Sequence, residues 1–236
     1  MKRTTFLATS ASMIALTPTL VGAAENVPGG TLLVERNKNF DERHFKAVLD
    51  RPAEIRQLWE ILNPNPIVWN NVKNALNGLH FGFGYPENHI AMAFAAHGPA
   101  SSFNFSDYVW AKYRIGEFFN IRNFEGAFAT KNMNLVSQSH YDPSADPDSE
   151  TGMYQDRSIQ MLQRRGLVML ACHTAIEEQS RAFVMKGFAP KGMTGSQVAD
   201  DILTHLIPGA IVVPSMVATI AVLQKRFGYT YTTLAF

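Results

Sequence analysis

Short, unbroken apolar runs punctuate this chain. Three of them lie at residues 90–96, 167–171 and 210–213. Each predicts a strand covered on both faces, because a half-buried strand would alternate apolar with polar side chains. The mostly apolar run His44 to Leu49 predicts an earlier strand. Residues 229–234 alternate and are rich in aromatic and β-branched side chains, which predicts a final strand.

Apolar residues at helical spacing lie between these runs. The stripes are Ile55, Leu58, Trp59 and Leu62; Val68, Val72, Ala75 and Leu76; Val109, Ile115 and Phe119; Val198, Ile202 and Leu206; and Met216, Ile220, Leu223 and Phe227. Residues 50–52 (Asp-Arg-Pro) predict the start of the first helix, and residues 63–66 (Asn-Pro-Asn-Pro) predict its end.

Residues that cap helices mark the later helix boundaries. Thr174 with Glu177, and Thr194 with Gln197, each have the spacing of a capping box. Ser106 and Ser215 predict two further starts, and Gly228 predicts the end of the last helix.

Strands that alternate with helices predict an α/β fold. We expect three layers, with helices on both sides of a mostly parallel five-stranded sheet. The chain has 236 residues, of which 46% are apolar and 17% charged. That is enough for a substantial core, so one main domain over residues 42–236 is predicted.

Residues 120–160 show no sustained period. A loop of this length inside a domain is usually functional or disordered. His140, Asp142, Asp146, Asp148 and Glu150 suggest a hard-cation site, but they lack the ordered spacing of a calcium loop. The favoured interpretation is an irregular insertion over the sheet edge or a subunit contact, and no metal is predicted.

The first 24 residues have the build of an export signal. Lys2 and Arg3 precede an apolar stretch, which ends in small residues at positions 21–24. A membrane anchor is disfavoured, because Thr, Ser and Pro18 interrupt the stretch. Thr4 stands where a twin-arginine signal would have its second arginine, so the export route stays open. We expect a polar leader over residues 25–41 and a periplasmic or otherwise exported protein, soluble after signal cleavage.

Charge and motifs exclude several function classes. The formal net charge is +1, which provides no field to attract a nucleic acid. The sequence contains no dinucleotide-binding glycine motif, P-loop, nucleophile elbow, Cys-x-x-Cys or zinc-protease motif. We therefore expect no cofactor, no nucleic acid partner and no membrane partner after signal removal.

Ligands of open α/β sheets bind beyond the carboxyl ends of the strands. In the predicted fold, these positions are Asp50-Arg51, residues 97–99 (His-Gly-Pro), residues 172–174 (Cys-His-Thr) and Pro214-Ser215. Cys172, the single cysteine, precedes a helix whose start would favour a thiolate. His97 is the candidate assisting residue at the same edge.

Each of these residues also has a structural interpretation. Cys172 can be a small buried residue, and His97 can bond to loop carbonyls. His173 is adjacent to Cys172 in sequence, but adjacent side chains need not point the same way. Ser215 is most simply a helix cap.

The segment from Leu162 to Leu234 resembles the DsrE/DsrF-like family. The resemblance lies in QRRGLVMLACHTAIEEQ and LIPGAIVVPSMVATIAVLQKRFGYTY, with IAMAFAAHGPA upstream, and it covers most of residues 44–235. It implies a five-stranded α/β fold, assembly into trimers or hexamers, and a cysteine near the place of Cys172 that accepts a persulfide. Export and the insertion depart from the family's sulfur-relay proteins.

Two hypotheses follow. In the first, Cys172 carries sulfane sulfur as a persulfide, received from or passed to a partner protein. In the second, the protein is a noncatalytic exported binding or assembly module with a structural Cys172. The resemblance also implies a homo-oligomer, for which Phe81, Phe83, Tyr85, Phe103 and Phe105 are candidate contact residues.

Overall fold

A five-stranded, all-parallel sheet forms the centre of the molecule, with helices on both faces. The computed structural model describes residues 39–136 and 146–234. The strands are β1 (Ile55–Ile61), β2 (Ile90–Ala96), β3 (Leu167–Cys172), β4 (Ile211–Val213) and β5 (Thr230–Thr233), in the spatial order β4-β3-β2-β1-β5. The predicted three-layer α/β architecture is confirmed.

Eight α-helices cover this sheet in the described ranges. They are α1 (Glu42–Leu49), α2 (Ile67–Asn77), α3 (Asp107–Lys112), α4 (Ile115–Phe118), α5 (Ile159–Arg164), α6 (His173–Met185), α7 (Gly195–Thr204) and α8 (Met216–Phe227). A π-helical turn, Gly78–Gly82, extends α2, and a 3₁₀ segment, Gly98–Asn104, follows β2. No helix in the described ranges is long and apolar enough to cross a membrane.

The core is divided by the sheet. On one face, α2 and α5 pack against β1–β3, with Trp69 stacked on Phe94 at a ring-centroid distance of 4.4 Å. On the other face, α1 and α8 bury Phe45 and Leu223 against the sheet. A third cluster around Phe183 joins α3, α4, α6 and α7. Burial of apolar surface on both faces explains the unbroken apolar run of β2, whose seven residues are all buried.

The order of the first two elements is the reverse of the prediction. Residues 42–49 form a helix, because Phe45 and Leu49 are four residues apart and bury one side of it, and Asp41 accepts a hydrogen bond from the His44 amide at 2.9 Å. The stripe that begins at Ile55 forms β1, which lies between β2 and β5. Leu58 faces one core and Trp59 the other, so a strand buried on both faces imitates a helical stripe here.

Predicted helix starts are partly confirmed. The capping box of Thr194 and Gln197 is present. The capping box of Thr174 and Glu177 is wrong, because the N-cap of α6 is Cys172, two residues earlier. The Thr174 hydroxyl instead donates to the Pro214 carbonyl at 2.9 Å. Ser215 is the N-cap residue of α8, although its side chain makes no capping bond.

Two other boundaries depend on residues with positive φ. The helix predicted from Ser106 to Phe119 is interrupted at Arg114 (φ 48°), which separates α3 from α4. Gly228 (φ 71°) ends α8 as predicted, since glycine adopts this conformation without steric cost.

The aromatic residues considered for a contact surface differ in burial, and Tyr85 is half-buried against the core. The other four fall into two groups. Phe103 and Phe105 are buried in the domain's own core, so their assignment to a contact surface is wrong. Phe81 and Phe83 lie on and just after the π-helical turn and are exposed, Phe83 by 77%. Only this second group is available to a partner.

The described parts of the insertion, residues 120–136 and 146–158, contain no α-helix and no named strand, and Arg122 and Phe128 form an isolated β-bridge. The export signal, the leader up to residue 38, His140 and Asp142 lie outside the described residues.

Candidate functional site

The carboxyl ends of three strands bring most of the predicted site residues to one edge of the sheet. β2 is followed by His97, β3 ends at Cys172, and β4 is followed by Pro214. Asp50 and Arg51 are not there, because the element before them is a helix. The Arg51 guanidinium instead donates to the carbonyl of Asn88, just before the start of β2, at 2.8 Å.

Cys172 is a buried thiol at the start of α6. The residue is 4% exposed, and its Sγ accepts hydrogen bonds from the backbone amides of Ala175 at 3.4 Å and Met216 at 3.3 Å. Burial raises the pKa of the thiol, and it outweighs the opposing effect of these amides. The amides at the helix start favour a thiolate, but desolvation disfavours it more.

His97 pairs with a carboxylate. Its Nε2 lies 2.8 Å from Oε1 of Glu60, and the other oxygen of Glu60 accepts a hydrogen bond from the Tyr231 hydroxyl. This bond raises the pKa of Tyr231. Ala96 and Ala171 are paired neighbours in the sheet, so His97 and Cys172 are the next residues along adjacent strands. The Cys172 sulfur nevertheless bonds to backbone amides and the His97 ring to Glu60, which gives no support for His97 as an assistant to the thiol.

A cavity of about 720 Å³ opens at this edge. The turn after β1, residues 63–66, forms one side, and the insertion forms the other through residues 119–124, 133–136 and 150–158. Phe103 and Trp110 form part of its lining from the buried core. The cavity therefore lies where ligands bind in open α/β sheets, at the carboxyl end of β1.

The outer wall of the cavity is fixed to the domain by side chains of α2 and the end of α5. Lys73 donates to Oε1 of Gln155 at 2.8 Å, and the Asn77 amide donates to the carbonyl of Tyr154 at 2.8 Å. The Arg165 guanidinium lies 5.0 Å from the centre of the Tyr154 ring. Burial, and then the charges of Arg157 and Arg165, lower the pKa of Lys73. These contacts hold residues 154 and 155 against α2 and the end of α5.

Charges in the cavity lining are balanced. Arg122 and Arg157 line it together with Glu150 and Asp156. Arg122 already donates to the carbonyl of Gly126 at 2.7 Å, and Oδ1 of Asp156 accepts from the Ser158 amide at 2.7 Å. Within residues 39–136 and 146–234, no group of three or more His, Cys, Asp or Glu side chains could hold a metal ion. Among the described residues, the lining thus has as many basic as acidic side chains and is partly aromatic.

No family model, curated protein or solved structure matches this chain. The DsrE/DsrF-like resemblance therefore stays a prediction. The geometry of the site is therefore the basis for its proposed function.

Sequence reasoning missed two parts of this edge. Glu60 belongs to a stretch interpreted as a helix, so its carboxylate was not placed beside His97. The cavity wall is built by long-range contacts such as Lys73 with Gln155, 82 positions apart, which no local pattern indicates. The signal that was present is the length of the irregular insertion itself.

Proposed function

We propose that this protein is an exported, noncatalytic ligand-binding protein that takes a small molecule into the cavity at the carboxyl end of β1. The observation that carries the proposal is the cavity of about 720 Å³, walled by the 120–158 insertion at the edge where α/β proteins bind ligands. Its volume suits a small organic molecule. The insertion then has a role, because it supplies more than half of the lining.

The state of Cys172 supports a binding role over a sulfur-carrying one. A persulfide carrier needs a thiolate that a donor can reach. Here the residue is buried and its pKa is raised. The two amide bonds to Sγ are the one feature that favours a thiolate, so the persulfide hypothesis remains the alternative that chemical labelling must test.

Filling the cavity should abolish ligand binding. Thr151 is exposed and lines the cavity, so the indole of Thr151→Trp would occupy ligand space without entering the core. A library of small metabolites screened by thermal shift should contain compounds that stabilise the wild-type protein, since a ligand that binds only the folded state raises its stability. Thr151→Trp should lose that stabilisation.

The matched control is Thr130→Trp, an exposed threonine of the insertion outside the cavity lining. It should retain the ligand-induced stabilisation. A library without any stabilising compound, or equal stabilisation of both variants, would contradict the proposed binding site.

Export and self-association are further parts of the proposal. Export is supported by the basic, apolar and small-residue order of residues 1–24. Intact mass of the protein from its native host should show a start near residue 24 or 25, whereas a full-length chain would contradict export.

Self-association is supported by the exposed Phe81 and Phe83. Sedimentation at micromolar concentration should then show an oligomer, and a monomer would exclude it.

A further inference from the structure

The chemistry of the cavity lining narrows the class of ligand, provided that the cavity is a binding site as proposed above. Among the described residues that line the cavity, two carry a guanidinium group, Arg122 and Arg157, and two carry a carboxylate, Glu150 and Asp156. An ionic ligand would meet an opposite charge and a like charge together. Because an uncompensated charge in a partly enclosed site costs free energy, this balance disfavours both anions and cations.

Carboxamides dominate the polar part of the lining. The side chains of Asn63, Asn120 and Asn134 line the cavity and make no hydrogen bond to another described residue. Each carboxamide offers two donors and an acceptor in one plane. A hydroxyl group is both donor and acceptor, so a ligand with several hydroxyls can satisfy these amides. A purely apolar ligand would leave them unsatisfied, at a cost in affinity.

Aromatic rings supply the apolar part. Phe124 lines the cavity and is 91% exposed, the largest exposure among the large apolar residues described. Phe119 is half-buried beside it in the lining. The indole N–H of Trp110 donates to the carbonyl of Ser102 at 3.0 Å, so Trp110 offers the ligand only its apolar surface. A ring exposed to this extent gains free energy when a ligand with an apolar face covers it.

We propose that the ligand is a neutral, polyhydroxylated molecule with an apolar face, that is, a mono- or disaccharide. The C–H face of a pyranose covers Phe124, and its hydroxyls bond to the asparagine carboxamides on the rim. The two arginines and the two acidic residues can form further hydrogen bonds to the hydroxyls, and their charges cancel.

The test is a binding panel measured by calorimetry. The neutral probes are glucose, N-acetylglucosamine and maltose, and the comparison probes are glucose 6-phosphate and laurate. We expect at least one neutral saccharide to bind and both comparison probes to bind more weakly. Phe124→Ala should weaken saccharide binding by about tenfold, the equivalent of one aromatic contact. Phe83→Ala removes another strongly exposed ring, which lies outside the cavity lining, and should leave binding unchanged.

The outcomes separate this inference from the binding role itself. Tighter binding of glucose 6-phosphate or laurate, lost in Phe124→Ala, would overturn the saccharide class and leave the cavity as a binding site. No binding of any neutral saccharide would also overturn the class, while the Thr151→Trp comparison decides whether the cavity binds anything. If Phe124→Ala and Phe83→Ala weakened saccharide binding equally, the saccharide would not bind in this cavity, and the inference would be overturned.

Discussion

Cys172 in the folded protein should react with iodoacetamide at least about a hundredfold more slowly than in the unfolded chain, because the reagent must wait for a local opening. The residue is 4% exposed, and burial raises the pKa of its thiol. The chain contains one cysteine, so the mass of the labelled protein reports on this residue alone. Labelling should be followed by mass spectrometry with and without denaturant.

Two substitutions at Cys172 act as controls. Cys172→Ser keeps an acceptor for the Ala175 and Met216 amides, so it should fold normally. Cys172→Ala removes the acceptor and should lower the free energy of unfolding by about 1–3 kcal/mol, the cost of buried donors without a partner. Rapid labelling of the native protein, together with uptake of one sulfur atom from a persulfide donor, would restore the carrier hypothesis and exclude a structural Cys172.

Gly116→Ala should destabilise the domain and disturb the cavity. An added Cβ at Gly116 would lie 2.2 Å from the carbonyl oxygen of Ala129 and 2.6 Å from its nitrogen. Backbone atoms cannot move aside as a flexible side chain can. The Ile121 amide also donates to the Gly116 carbonyl at 2.7 Å, which holds the 121–129 turn on this residue. We expect a loss of about 1–3 kcal/mol in the free energy of unfolding, at the upper end of that range.

Chemical denaturation measures this loss, and Gly78→Ala is the matched control. Gly78 has helical φ and ψ, and nothing lies within 4 Å of its added Cβ. That variant should be neutral or more stable by about 0.4–1 kcal/mol, because alanine reduces the freedom of the unfolded chain. Gly116→Ala should also weaken ligand binding. The substitution would displace the 121–129 turn, and Ile121 and Phe124 of that turn line the cavity together with the nearby Phe119. Equal stability of the two variants would show that the 121–129 turn does not pack closely against Gly116.

The sheet was predictable where burial leaves a continuous signature. The run from Ile90 to Ala96 forms a central strand with a neighbour on each side, and only such a strand can be apolar throughout. The capping box of Thr194 and Gln197 was equally predictable, because both of its hydrogen bonds join residues three positions apart. Capping bonds and complete burial each leave a pattern within one helix or strand, so both can be predicted from a single sequence.

The first two elements could not be distinguished by periodicity. Phe45 and Leu49 bury one side of a helix, while Leu58 and Trp59 point to opposite faces of a strand. In short segments, both patterns place apolar residues three or four positions apart. Tertiary context decided between them, since β1 pairs with β5 through residues more than 170 positions away.

The sequence predicted which residues meet at one edge of the sheet, but not their chemistry, and neither Cys172 nor His97 lines the cavity. The positions after β2, β3 and β4 do meet at one edge, because the sheet is parallel. The burial of Cys172 could not be inferred, since it depends on the Met216 amide at the start of α8, 44 positions away. For the same reason, the pairing of His97 with Glu60 and the cavity wall around Gln155 required the fold itself.

The central claim is that the cavity at the carboxyl end of β1 binds a small ligand, and methionine-methyl NMR tests it most directly. Met133 lines the cavity, whereas Met185, 70% exposed at the end of α6, lies outside its lining. In a titration with the stabilising compound from the metabolite library, the Met133 methyl resonance should shift and saturate while that of Met185 stays in place. A stationary Met133 resonance under conditions where calorimetry shows binding would place the ligand elsewhere and contradict the account.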